Sequence, residues 1–213
     1  MKSVVIDYGL CNLLSVYNAL KFLGVDSVVT SDSTFIKGAD IAILPGVGAF
    51  EDGMGGLKAK GLIQPIYDFI KTGKPFLGIC LGMQMLMDKS YEFGEHGGLG
   101  IIEGEVLRFQ KESLDGKQRL KIPHIGWNVL VRADLSWEKT PLAGIKEGDE
   151  MYFVHSYCVV PKDRRCVLAQ TAYGGHHFCS VVQKENVFGC QFHPEKSSKS
   201  GLKILKEFME LAK

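Results

Sequence analysis

The sequence predicts an α/β fold: a single domain with a mostly parallel central sheet flanked by helices, a nucleophile elbow, and added antiparallel strands in the second half. Three observations lead there. In the first half, apolar runs Val4-Val5-Ile6, Ile41-Ala42-Ile43-Leu44 and Phe76-Leu77-Gly78-Ile79 alternate with helical stretches. Strands that are apolar throughout belong to a parallel sheet covered on both faces. The third run enters Gly78-Ile79-Cys80-Leu81-Gly82 and then at once an apolar helical stretch, a strand–turn–helix setting. Beyond residue 100 the pattern turns to β character.

In chain order, the first strand ends in an Asp7-Tyr8-Gly9 turn. Asn12 can cap a helix carrying Leu13, Val16, Leu20 and Leu23 at helical spacing, closed by Gly24. Ser27-Val28-Val29-Thr30 returns as a strand, and Ile41 to Leu44 forms another, halted by Pro45-Gly46. Leu62, Ile66, Phe69 and Ile70 mark a second helix, closed before Gly73. Ile101–Leu107, Glu150–Val160, Cys166–Ala172 and a pair of runs around Lys184-Glu185-Asn186 read as mostly antiparallel strands. Gly201 to Leu211 closes the chain as an amphipathic helix. Repeats, low-complexity tracts and linkers are absent, so residues 1–213 are expected to form one domain.

Bulk properties narrow the function. The 213 residues are 46% hydrophobic and 23% charged, enough for a sizeable core. A net charge of +1 gives no reason to expect nucleic acid or an anionic membrane surface as partner. Lys162, Arg164 and Arg165 are interrupted by Asp163 and read as a solvated turn. No apolar run is long enough to span a bilayer, and Met1-Lys2-Ser3-Val4-Val5-Ile6 meets Asp7 too early for a signal-peptide core, so a cytoplasmic location is expected. The six cysteines (Cys11, Cys80, Cys158, Cys166, Cys179, Cys190) show neither C-x-x-C pairing nor zinc spacing. Most read as small core residues of a reduced compartment, and the adjacent His176-His177 should diverge on a strand; no metal site and no cofactor are expected.

Cys80 stands apart. A sharp turn between Gly78 and Gly82 would thrust its thiol out at the carboxyl edge of the sheet, beside the start of a helix whose dipole favours a thiolate. A lone cysteine at a strand end is more often a buried structural residue. A second motif shifts the balance: Phe188-Gly189-Cys190-Gln191-Phe192-His193-Pro194-Glu195. His193 and Glu195 are two apart, so on an extended chain both side chains project to one face. That suits a histidine base oriented by a carboxylate. Alone, His-Pro-Glu would more often be a solvated turn; with an elbow cysteine it reads as a Cys80–His193–Glu195 triad.

These two motifs resemble those of the triad-type glutamine amidotransferases. Asp7-Tyr8-Gly9 with Asn12, Pro45-Gly46-Val47-Gly48, Pro123-His124-Ile125-Gly126-Trp127-Asn128 and Tyr152-Phe153-Val154-His155-Ser156-Tyr157 narrow the likeness. Together they are similar to the glutaminase subunits of imidazole glycerol phosphate synthase, along essentially the whole chain. The resemblance implies hydrolysis of L-glutamine through a Cys80 thioester, with ammonia passed to a (β/α)8-barrel cyclase for histidine biosynthesis. It implies an oxyanion hole from the Val47 and Leu81 amides, glutamine contacts from Gly48, Gln84, Glu92, Ser156 and Tyr157, and a partner interface including Asn12, Trp127, Tyr152 and Lys196. One departure is Cys11, where the family usually has glycine.

Three other readings compete. A paralogue with the same glutaminase chemistry could feed ammonia to the amination of a surface-polysaccharide sugar, as Glu92-Phe93-Gly94-Glu95-His96-Gly97-Gly98 and Cys11 suggest. A cysteine peptidase of the same fold tends to place histidine just after the elbow cysteine, where this chain has Leu81. A non-catalytic binding module would have no need of the intact triad.

Overall fold

A computed structural model of the protein describes residues 1–10 and 12–212. Cys11, the departure from the family pattern, therefore lies outside the described residues. In chain order the elements are β1 (Ser3–Ile6), α1 (Leu13–Phe22), β2 (Ser27–Thr30), α2 (Ser33–Gly38), β3 (Ile41–Gly46), α3 (Phe50–Ala59), α4 (Ile63–Lys71), β4 (Phe76–Cys80) and α5 (Leu81–Met85). There follow β5 (Lys89–Ser90), β6 (His96–Gly97), β7 (Gly104–Arg108), β8 (His124–Val129), β9 (Val131–Arg132), β10 (Glu150–His155), β11 (Tyr157–Pro161), β12 (Val167–Tyr173), β13 (His176–Lys184), β14 (Val187–Cys190) and α6 (Ser198–Glu210).

The central sheet has the order β2-β1-β3-β4-β14-β13-β12-β9. Its first five strands are parallel and the rest antiparallel, as the change of pattern along the chain predicts. Alternation along each strand divides the core into two layers. Val5, Ile43 and Leu77 pack with Leu20 of α1 and Leu205 and Phe208 of α6. Val4, Ile6, Ala42 and Leu44 pack on the other face with Leu57 of α3 and Ile66 and Phe69 of α4. A β8–β10 ribbon lies over the first layer, through Met151 and Phe153. The small sheet β11-β7-β5-β6 covers the second, through Val106 and Val159. Ser156, the only residue between β10 and β11, is where the chain passes from one layer to the other.

Several expectations need correction. Asn12 stands at the N-cap of α1 but makes no side-chain cap bond. β3 continues through Pro45 to Gly46, since a proline at a strand end forgoes only its own donor. β7 starts at Gly104 (φ 154°), not Ile101, and Glu150–Val160 is two strands broken at Ser156. Helix α3 has no counterpart in the periodicity because Gly53, Gly55 and Gly56 dilute its pattern. Two of these glycines have packing reasons: a Cβ at Gly53 would meet Met85 Sδ at 2.9 Å, and one at Gly56 would meet the Tyr8 carbonyl oxygen at 2.5 Å.

Gly82 is the tightest point of the elbow. A Cβ there would fall on the Leu44 carbonyl oxygen, and one at Gly78 would sit 2.7 Å from the Gly82 carbonyl carbon. Neither neighbour can yield, because both are backbone. Gly82→Ala should therefore cost about 1–3 kcal/mol or more. Gly55→Ala, exposed in α3 with open space around it, should stabilise by roughly 0.5–1 kcal/mol. Paired denaturant titrations check both signs, and equal effects would contradict this account of the elbow.

Candidate active site

Three neighbouring parallel strands end together and set out the site. Gly46 of β3 lies opposite Cys80 of β4, and Cys190 of β14 lies opposite Ile79. Continuing each strand by one to three residues brings Val47, Leu81, Gln191 and His193 to one sheet edge. Cys80 has φ 54° and ψ −108°, a backbone region that side chains rarely occupy. The glycines on either side make that turn possible by letting α5 start directly beneath β3.

His193 has β-region angles (φ −101°, ψ 96°), and Pro194–Lys196 forms a short 3-10 turn. The expected extended chain through Glu195 is thus a turn instead, with proline supplying the fixed φ that starts it. The outcome is the predicted contact all the same: His193 Nδ1 lies 2.8 Å from Glu195 Oε1, both side chains being 2% exposed. His193 Nε2 is buried with no nitrogen or oxygen partner among the described residues. Burial acts to lower the imidazole pKa, but the Cys80 sulfur and the Glu195 carboxylate outweigh it and raise it to about 10. The segment is also clamped from outside. The His193 N–H donates to the Tyr152 carbonyl at 3.0 Å. The Ser197 hydroxyl accepts from the Tyr152 N–H at 2.9 Å and donates to the His193 carbonyl at 2.6 Å.

A cleft of about 330 Å³ opens over Cys80, lined by Val47, Gly48, Leu81, Gln84, Glu92, Ser156, Tyr157 and His193, together with Pro123, Val154 and His155. Every residue expected in the oxyanion hole or against glutamine lies on it. Leu81 is the first residue of α5, where a main-chain N–H has no acceptor one turn back. Glu92 is tied down: its Oε2 accepts the Phe50 N–H at 2.8 Å, capping α3. The residues expected at a partner interface lie outside the cleft. Trp127 and Tyr152 stand opposite each other on the ribbon with ring centroids 6.0 Å apart, and Trp127 is 50% exposed. Lys196 is exposed on the 3-10 turn, which packs between α1 and β10.

Sequence reasoning missed a polar network beneath the cleft. Gln191, fully buried, donates from Nε2 to Cys80 Sγ at 3.6 Å. Gln84 Nε2 donates to Gln191 Oε1 at 3.1 Å and to the Tyr157 carbonyl at 3.0 Å. That carbonyl also accepts from His155 Nδ1 at 2.8 Å, and His155 Nε2 lies 3.3 Å from His124 Nδ1. Burial pushes His155 down to about 3 and His124 to about 4, so both are neutral at pH 7. No local pattern marks Gln191, whose role depends on the neighbouring strand carrying Cys80.

The other described cysteines are of a different kind. Burial raises the thiol pKa of Cys158 to about 12 and also raises those of Cys166, Cys179 and Cys190. No group of metal-ligating side chains gathers among the described residues, and no helix among them is long and apolar enough to cross a membrane.

The raised His193 pKa has a stability consequence. Its folded value lies above the ordinary 6.5, so the pairing contributes fully below about pH 6.5 and is lost as pH rises through about 10. The difference in melting temperature between the wild type and Glu195→Gln should be largest at the acidic end of that window and shrink towards pH 10. A difference that grows with pH would contradict the pairing.

Known proteins are similar to this chain along nearly its whole length. An Imidazole glycerol phosphate synthase subunit HisH 1 of Legionella pneumophila (strain Lens) is 48% identical, covering 99% of this chain and 100% of its own. The HisH subunit of Aquifex aeolicus (strain VF5) is 50% identical, covering 100% of this chain and 98% of its own. Among solved structures, PurLQS from Thermotoga maritima superposes with a TM-score of 0.70 at 22% identity, covering 100% of this chain and 99% of its own, which speaks to the fold. The family model of glutamine amidotransferase class-I matches residues 4–211, and the chain belongs to that family.

Proposed function

We propose that this chain is the glutaminase subunit of an imidazole glycerol phosphate synthase, hydrolysing L-glutamine to glutamate and supplying the ammonia to a cyclase partner in histidine biosynthesis. The observation that carries the reading is the 2.8 Å His193–Glu195 contact beside Cys80 at the mouth of the cleft. The relatives that share about half of its residues carry the synthase name, which favours this acceptor over a polysaccharide sugar.

The chemistry follows from the groups in place. The Cys80 sulfur attacks the γ-amide carbon, and His193 gives a proton to the departing nitrogen as the tetrahedral intermediate collapses. Ammonia leaves behind a glutamyl thioester. Water then attacks that carbonyl, with the same imidazole taking its proton, and glutamate is released. Glu195 holds the ring orientation and balances the imidazolium charge. The Leu81 and Val47 amides serve as oxyanion donors. Glu92 offers a carboxylate to the substrate ammonium, Gln84 keeps Oε1 to accept from it, and Gly48, Ser156 and Tyr157 complete the wall. Free ammonia protonates readily in water, so release into a docked consumer avoids its loss. Exposed Trp127 with half-buried Tyr152 beside it, Lys196 and Asn12 mark the surface on which a (β/α)8-barrel cyclase docks.

A glutamine-analogue electrophile should label Cys80 stoichiometrically, leaving Cys158, Cys166, Cys179 and Cys190 untouched in the native protein. His193→Ala should lower glutamine hydrolysis by about 10²–10⁴-fold, and Glu195→Gln by less, since the imidazole remains. Peptide mass mapping and glutamate release read these outcomes; labelling elsewhere with Cys80 intact would overturn the assignment.

Coupling to a partner is tested by glutamate production from the chain alone, with the cyclase, and with the cyclase plus its own substrate. The rate should rise at each step as docking favours a competent oxyanion hole, and Tyr152→Ala or Lys196→Ala should blunt the rise. Full activity alone, unchanged by any partner, would indicate a free-standing glutaminase.

A further inference from the structure

We propose that Gln191 is a positioning residue for the nucleophile, its side-chain amide donating a hydrogen bond to the Cys80 sulfur from an orientation enforced by the Tyr157 carbonyl. This rests on Cys80 being the nucleophile and adds a group that the triad leaves out.

The direction of the bond follows from one atom. The Tyr157 carbonyl oxygen can only accept, so Gln84 must turn its NH2 end towards it, at 3.0 Å. The same nitrogen reaches Gln191 at 3.1 Å, so Gln191 must present its oxygen there. Gln191 is then left with its NH2 end towards Cys80 Sγ, at 3.6 Å. Flipping Gln84 would set oxygen against oxygen, and flipping Gln191 would set nitrogen against nitrogen, in a buried site, either way at the cost of an unpaired polar group. The carbonyl itself is held by the His155 ring at 2.8 Å. The donor therefore arrives at the sulfur already oriented.

Backbone register supports the arrangement. Gln191 follows Cys190, which pairs with Ile79, so its Cα lies beside that of Cys80 on the neighbouring strand, and its own N–H is bonded to the Ser180 carbonyl at 2.9 Å. A donor placed this way favours the charged over the neutral sulfur, since hydrogen bonds to charged groups are the stronger kind. It also keeps the sulfur from rotating away from His193. The other titratable groups around the sulfur among the described residues are His193 with Glu195 behind it, Cys190 on the adjoining strand, and Glu92, Tyr157 and neutral His155 on the cleft wall.

The test uses iodoacetamide on the full chain, with Cys80 modification followed by peptide mass spectrometry across pH. Gln191→Met keeps length and apolar bulk but removes the donor. Its Cys80 alkylation should slow by about 10-fold at neutral pH, with the inflection about one pH unit higher. Glutamine hydrolysis should lose kcat to a similar degree, with KM changed less than about twofold. A profile superimposable on the wild type overturns the proposal, whatever happens to the melting temperature. If Gln191→Met does not fold, the wild type decides: the Gln191 side-chain amide protons should titrate with the alkylation inflection, and fixed resonances overturn the proposal. Wild-type protein whose Cys80 resists alkylation would instead defeat the nucleophile reading.

Discussion

The common register of β3, β4 and β14 is the constraint on which the rest of the site depends. Pairing Gly46 with Cys80 and Cys190 with Ile79 makes three strands run out at the same level. The residues that follow each strand must then share one small volume. Backbone hydrogen bonding, not any side-chain attraction, brings Val47, Cys80 and Gln191 together, and a slip of one residue would turn every side chain to the wrong face. The strain at Cys80, with positive φ, persists because the strand before it is fully buried and the helix after it starts under Leu44. The layers on both faces thus hold a backbone shape that a free chain would abandon.

The second organising feature is the ribbon of β8 and β10. Its inner positions, His124 and Phe153, belong to the core, while Ile125 and Trp127 alternate outward. The strand carrying Tyr152 is bonded through its own backbone to His193 and, through Ser197, to the turn that holds Glu195. A force applied to the outer aromatics therefore reaches the base through two hydrogen bonds, with no long pathway to invoke. Tyr157, one residue beyond the crossover at Ser156, holds the Gln84–Gln191 pair from the other side of the cleft. Base and nucleophile are anchored to the same stretch of chain.

Much of this was legible in the sequence, and the misses have a shared cause. Apolar strands, the elbow and the triad announce themselves locally, because each depends on residues within a few positions of one another. The cleft residues could be named in advance only through family resemblance; nothing in the local pattern of Glu92 or Ser156 separates them from solvated loop residues. What stayed hidden depends on tertiary contact. Helix α3 looks too rich in glycine until Met85 and the Tyr8 carbonyl are seen against it. Asn12 has the chemistry of a cap but makes no cap bond. Trp127, which on bulk alone would be a core residue, is half exposed because β8 has only one covered face. Gln191 looks like an ordinary polar residue until the strand beside it is known to carry the nucleophile.

Two buried histidines in one cleft show how the surroundings assign chemical roles. His155 and His193 both line it, and burial pushes both towards the neutral form. At His155 only a backbone carbonyl opposes that push, while His124 and His193 add to it, and its pKa falls to about 3. At His193 the sulfur of Cys80 and the carboxylate of Glu195 reverse it, and the pKa rises to about 10. A ring that stays neutral can hold a fixed tautomer and serve as a rigid spacer between a carbonyl and a second imidazole. A ring whose cation is stabilised can receive the proton of the thiol and deliver it to a leaving amine. The difference comes from a single carboxylate and a single sulfur, and each owes its position to the strand and turn geometry described above. Exchanging the two histidines' neighbours would exchange their roles, even with the fold unchanged.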